Sequence, residues 1–287
     1  MTGLRVGRGR LLPALMLAAA LLLFAASLVR PEAEPPSGLS VLAARTVEAA
    51  RRADAALASL AMGGGGVEPP PPSVVARLAS RLAELEANVS GAGGWLGERL
   101  TRGIEAYRYT ALSVYNVSKG YPSLRRGVPA LARALDLLAA CRVEEALEAY
   151  RSNRVAIEGA VGVLLDAEAE AAMVDPGAAL FREHVAVLEA YSRDVAALAR
   201  SAEAARGLLE LVSRSPGLGE ALCRGSPQAV ARAASGLGLS PQLLASRVSV
   251  LSPTMGAKLA EAASILQAGH QKGGGQGAGR GGGGSDD

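Results

Sequence analysis

Residues 181–212 read FREHVAVLEAYSRDVAALARSAEAARGLLELV and carry the most regular apolar pattern of the chain. Apolar residues follow one another at steps of three or four, namely Val185, Leu188, Tyr191, Val195, Leu198, Ala202, Ala205, Leu209 and Val212. This spacing places one apolar stripe along a helix. At about 1.5 Å per residue, it predicts a helix of about 50 Å.

The same spacing recurs in two segments that precede this helix. It runs through residues 74–89 and, after the glycine-rich SGAGG at 90–94, through residues 96–114. The glycines indicate either a kink or a tight connection. Pro122 is predicted to end the second segment, because a proline inside a helix removes a backbone hydrogen bond.

A further helix is predicted to begin near Pro129, because proline is tolerated in the first turn of a helix. A partner helix is predicted over residues 155–173. Asp175 then caps the next element, with Pro176 at its first position.

Beyond Ser215 the pattern changes to short helices over residues 215–270, and Ser-Pro pairs mark their starts. These pairs are Ser226-Pro227, Ser240-Pro241 and Ser252-Pro253. No strand-like alternation appears in the sequence. The predicted fold class is all-α: an N-terminal transmembrane helix, then an extracytoplasmic antiparallel bundle with coiled-coil-like packing over residues 73–214, then a short-helix C-terminal subdomain.

Residues 11–29 form an uncharged apolar run of 19 residues, which is long enough to span a bilayer. Three arginines lie in residues 1–10, so the positive-inside rule keeps that end in the cytoplasm and the bulk of the chain outside. An uncleaved anchor is the preferred interpretation, since secretory signals have shorter apolar cores. The alternative is a signal peptide cleaved beside the small residues Ala25 and Ser27.

Four more segments follow from composition. Prolines make residues 30–39 a stalk, and residues 40–62 are predicted to form a helix. The GGGGVEPPPP sequence at 63–72 is predicted to be a linker. Residues 271–287 are rich in glycine with almost nothing to bury, so this tail is predicted to be disordered.

The net charge argues against a nucleic-acid partner. The chain has 30 basic and 27 acidic residues, and the excess equals the three arginines of residues 1–10. The remainder is neutral, with basic residues scattered among acids. Such a surface lacks the basic patch that binds phosphate backbones.

The cysteines and asparagines agree with an outside location. Cys141 and Cys223 are the only cysteines, and in an oxidising compartment they are predicted to form one disulfide. Two of the three asparagines, Asn88 and Asn116, stand in N-x-S acceptor sequons for glycosylation.

The sequence offers little for catalysis. His184 and His270 are the only histidines, so neither a zinc site nor a Ser-His-Asp system is predicted. The glycine clusters lack the Lys-Ser/Thr ending of a phosphate-binding loop. No catalytic residue, cofactor site or metal site is predicted, and His184 is interpreted as a residue at the surface or boundary of its helix.

Tyrosines cluster in one part of the chain. Tyr107 lies on the apolar stripe, whereas Tyr109 is about 200° around the helix and is predicted to face outward. Exposed tyrosines and arginines are favoured at protein interfaces. Tyr109 and its neighbour Arg108 are therefore the predicted partner contacts.

These observations predict a membrane-anchored extracytoplasmic scaffold or adaptor that acts through protein–protein interaction at the cell surface. Its partner would be another protein or a second copy of the chain. The alternative is a helical ectodomain that binds a small molecule between its helices. An enzyme is not expected.

Overall fold

The computed structural model describes residues 37–63, 66–91 and 93–273, and all regular structure in these ranges is helical. The predicted anchor at 11–29, its cytoplasmic flank and most of the stalk and tail lie outside them. The ten α-helices are α1 (Ser37–Ala61), α2 (Pro72–Ser90), α3 (Gly94–Ala139), α4 (Val143–Ser152), α5 (Arg154–Ala171), α6 (Arg182–Arg214), α7 (Pro216–Cys223), α8 (Pro227–Gly236), α9 (Pro241–Ser249) and α10 (Pro253–Gly273). The all-α prediction is confirmed.

Helix α3 differs most from the sequence-based expectation. It runs for 46 residues and contains both Pro122 and Pro129, so the predicted break there is wrong. Each proline removes one helical hydrogen bond. The helix continues because residues on both sides of the prolines are buried in the core, among them Tyr121, Leu124 and Leu131.

Helices α3 and α5 pack against each other along much of their length. Glycines allow their backbones to approach closely. A Cβ atom added to Gly127 would lie 2.2 Å from the carbonyl oxygen of Ala156 and 2.6 Å from Cβ of Ala160. This interface is therefore closed, with no room for a further side chain.

One hydrophobic core joins the helices. Its buried residues extend from Leu39 in α1 to Ala262 in α10. Residues 66–71, in the predicted linker, lack helical structure, and the hydroxyl of Tyr121 donates to the carbonyl oxygen of Val67 at 2.5 Å. The linker thus lies against α3, and α1 belongs to the same core as the later helices.

The connections that precede α3 and α6 were also predicted from the sequence. SGAGG is a tight connection, since α2 ends at Ser90 and α3 begins at Gly94. Asp175 caps a short 3-10 turn, Pro176–Ala178, by accepting a hydrogen bond from the backbone N–H of Gly177 at 3.0 Å. Helix α6 begins six residues after Pro176.

The Ser-Pro pairs start helices as predicted. The hydroxyls of Ser226, Ser240 and Ser252 accept hydrogen bonds from backbone N–H groups at the starts of α8, α9 and α10. Ser252 also donates to Asp136 of α3 at 2.6 Å. The start of α10 is thereby attached to the main bundle.

The predicted disulfide between Cys141 and Cys223 is present, with Cα atoms 5.1 Å apart. Cys141 follows α3 and adopts a φ of 59°, the left-handed conformation common just after a helix end. Cys223 is the last residue of α7. The bond therefore joins the first of the short C-terminal helices to the connection between α3 and α4.

Candidate functional site

A groove of about 960 Å³ lies between α1 and α2. Its walls come from residues 38–52 of the first helix and residues 70–81 around the start of the second. Val75 and Leu78 are buried, whereas Val41 and Val74 are 50% and 46% exposed. Two large aliphatic side chains thus remain in contact with solvent beside a buried apolar floor.

The local sequence explains why this groove exists. On α1 the lining residues include Gly38, Leu42, Ala49 and Arg52, and those on α2 begin at Val74; all recur at helical spacing. One face of each helix therefore lines the groove. Prolines 69–71 precede α2, and Pro72 lies in its first turn, where proline is tolerated.

Arginines surround the apolar lining, and Glu48 is the single acidic residue among them. They are Arg45 and Arg52 on α1 and Arg77 and Arg81 on α2. Arg52 pairs with Glu48 at 3.0 Å, and Arg81 lies 4.0 Å from Glu84.

Arg45 and Arg77 are exposed, and neither forms an ion pair with any residue that the structure describes. The rim of the groove therefore carries a local positive charge on a domain that is otherwise neutral.

The sequence pattern missed this groove because it placed Val74 on the core-facing stripe together with Leu78 and Leu82, which are buried as expected. Val74 was expected in the core, but Val75 is the buried residue and Val74 faces the groove. The sequence feature that could have indicated the groove is the helical spacing of Val74, Arg77, Leu78 and Arg81, which places arginines beside apolar residues on one face of α2.

The predicted contact pair occupies a different place. Arg108 donates from Nε to Glu86 of α2 at 2.5 Å, and its guanidinium lies 4.3 Å from the ring centre of Tyr109. Tyr109 is half-buried. Arg108 thus connects α3 to α2, and the role of the pair in partner binding stays a prediction.

A polar seam lies between α1, α3 and α6, and we define it as Asp54, Tyr107, Ser113, His184, Tyr191 and Asp194. The hydroxyl of Tyr107 lies 2.7 Å from Nδ1 of His184, and that of Tyr191 lies 3.0 Å from Oγ of Ser113. Ser113 in turn donates to the carbonyl oxygen of Ala167 in α5 at 2.8 Å. These groups satisfy one another inside the bundle.

Burial shifts the protonation of the seam. It raises the pKa of Tyr107 to about 12 and raises that of Tyr191, so both remain neutral hydroxyls. Burial also lowers the pKa of His184. The pKa of Asp54 is raised, first by burial and then by the neighbouring carboxyl of Asp194.

The two sequons differ in their surroundings. Asn88 and Ser90 are exposed at the end of α2. Asn116 lies within α3, donates to the carbonyl oxygen of Asp166 at 3.3 Å, and its sequon partner Ser118 is buried. The folded chain presents Asn88 to solvent more completely, and modification of either residue stays a prediction.

The described ranges contain neither a candidate metal site nor a candidate membrane span. No group of three or more histidine, cysteine, aspartate or glutamate residues there is arranged to hold a metal ion. Within those same ranges, no helix combines the length and apolar character that a membrane span requires. His184 lies in the polar seam, and the side chain of His270 is outside the description.

No protein family model, curated protein or solved structure matches the chain.

Proposed function

We propose that this protein is a membrane-anchored extracytoplasmic scaffold that binds a protein partner in the groove between α1 and α2. The groove is the observation that carries the proposal. It combines an exposed apolar surface with charges that have no partner in the described chain, which is typical of a binding surface.

The sequence supports the anchored, outside location. The uncharged run at 11–29 follows a basic N-terminus, and the disulfide between Cys141 and Cys223 suits an oxidising compartment. In this proposal the helical bundle lies outside the membrane, and its role is binding rather than catalysis.

A small-molecule ligand is the second candidate. The volume of the groove is within the range of about 300–1,000 Å³ that is usual for ligand pockets. Ligand pockets bury most of their ligand, however, and this groove has its arginines on an open rim. A protein surface fits that arrangement better.

Photo-crosslinking in native membranes tests the proposal. A photoreactive amino acid replaces Val74 in the groove, and a matched chain carries it at Val155, which is 85% exposed on α5. The proposal predicts one discrete protein adduct from position 74 and none of that mass from position 155.

Protease added to sealed cells checks the location in the same samples. Cleavage of the domain from outside is expected. Cleavage of the domain only after lysis would contradict the proposed outside location. Equal labelling from both positions would contradict the proposal that the groove is the binding site.

A further inference from the structure

We propose that the partner segment in this groove is an acidic amphipathic helix, with apolar side chains on one face and glutamates or aspartates along its edges. This inference rests on the proposed function and names the chemistry of the partner. Four features support it: the length of the groove, its depth, the spacing of its arginines, and the composition of the chain's own ends.

The length suits a helix. Residues 38–52 of α1 line the groove, and they extend over about 20 Å, or four helical turns. The lining positions on both helices follow helical spacing. A third helix laid between them would contact apolar side chains of both helices, as in helix-in-groove recognition.

The depth favours a helix over a membrane surface. Val75 and Leu78 lie at the floor between the two helices and are buried, while arginines stand at the edges. A flat bilayer surface would meet the edges first and leave the floor unfilled. A helix presents a convex row of side chains that can enter the groove.

The charges repeat along the groove. Arg45 and Arg52 are about two turns apart on α1, and Arg77 and Arg81 are about one turn apart on α2. A single phosphate would meet only part of this set. Carboxylates repeated along both edges of a docked helix would meet all of it.

The segments of this chain that the structure does not describe lack the composition of an acidic amphipathic helix. Residues 1–10 are basic, and residues 11–29 have no charge. Residues 30–36 contain two glutamates but also three prolines and a single alanine, and residues 274–287 likewise contain a single alanine as their apolar residue. Within the described part, the apolar face of the acidic helix α4 is buried in the core. The segment therefore belongs to a different protein.

Peptide binding to the full-length chain tests this inference. The chain is held in phosphatidylcholine nanodiscs, and the probe is a fluorescent synthetic peptide of about 15 residues, which would cover the groove. The peptide has leucines on one face and glutamates on its edges. A second peptide has lysine at every glutamate position.

We expect the glutamate peptide to bind at least about tenfold more tightly than the lysine peptide, with an affinity that falls as salt is added. The double substitution R45E/R77E should reverse this preference. The matched control R125E/R232E alters two exposed arginines that likewise have no ion pair in the described ranges, and it should keep the original preference.

Several results would overturn the inference. They are equal affinity for the two peptides, no binding of either peptide, and loss of preference in both double variants. If residues of the groove became protected from chemical labelling on phosphatidylglycerol nanodiscs without peptide, the groove would be assigned to lipid instead. If the crosslink from position 74 persists in any of these cases, the groove still binds a protein, and only the proposed chemistry of the segment is wrong.

Discussion

The α3–α5 interface and the α1–α2 groove are both contacts between neighbouring helices, yet one is closed and the other open. At the closed interface, Gly127 brings the backbone of α3 against Ala156. At the groove, Val41 and Val74 stay half exposed, and arginines flank them. Small residues close a contact by permitting backbone approach, whereas long cations beside aliphatic residues leave a surface for something else.

Removing the disulfide, which joins the end of α3 to α7, should have the largest effect on the stability of the fold. The double substitution C141S/C223S frees a loop with a sequence separation of 82 residues. The chain-entropy model gives a loss of about 4 kcal/mol in the free energy of unfolding, and native-state strain reduces it. Denaturant titration of the variant measures the loss. Unfolding at the wild-type denaturant concentration would contradict this expectation.

Filling the closed interface should cost slightly less. Gly127→Val places a branched side chain against the backbone of Ala156, and we expect about 3 kcal/mol of destabilisation. Gly162→Ala is the matched control on α5, because an added Cβ there meets nothing within 4 Å. It should leave stability unchanged or raise it by up to about 1 kcal/mol. Comparable destabilisation by both substitutions would show that the contact is not closed by glycine.

The polar seam between α1, α3 and α6 should make the stability of the fold depend on pH. The raised pKa of Asp54 means that the folded state holds its proton more tightly than the unfolded state does. This contribution to stability is present at low pH and is lost as pH rises from the ordinary value of 3.8 through the folded pKa.

Asp54→Asn should therefore stabilise the protein more at pH 7 than at pH 4, relative to wild type. Asp194 and Arg193, which face Asp54, are retained in both proteins. Denaturant titrations at the two pH values measure the difference. A gain that is the same at both values would remove Asp54 as the source.

An arginine that pairs two helices and the arginines Arg45 and Arg77 of the groove rim should differ in their effect on stability. Arg108→Gln breaks the ion pair with Glu86, whose side chains are each 21% exposed, and should cost about 1 kcal/mol. Arg45→Gln and Arg77→Gln remove charges without ion pairs in the described ranges and should change stability by less than about 0.5 kcal/mol. Thermal denaturation compares the three variants. A large loss from Arg45→Gln would mean that the rim of the groove stabilises the fold.

The buried core of the bundle could be predicted from the sequence more fully than the groove. Three-four spacing indicated α6, and Leu188, Tyr191 and Val195 on its stripe are buried. The cysteine count indicated the disulfide. These features depend on local periodicity or on elimination, so one sequence suffices to predict them.

Other features depend on which helices pack against a segment. Pro122 is compatible with α3 because the flanking turns are buried, and that burial comes from distant parts of the chain. Val74 shares the helical spacing of the buried Leu78 and Leu82, yet it faces the groove, because no neighbouring helix of the described ranges covers the first turn of α2 on that side. Periodicity alone could not resolve either feature.

Chemical labelling in native membranes shows whether a partner covers the groove where the protein works. Val74→Cys is treated with a membrane-impermeant maleimide before and after purification, beside Val155→Cys as an exposed control on α5. We expect position 74 to react slowly in membranes, where the partner covers it, and rapidly in the purified chain, while position 155 should react rapidly in both. Equal, rapid labelling of position 74 in both samples would rule out a partner in the groove, because the groove would then be empty in native membranes.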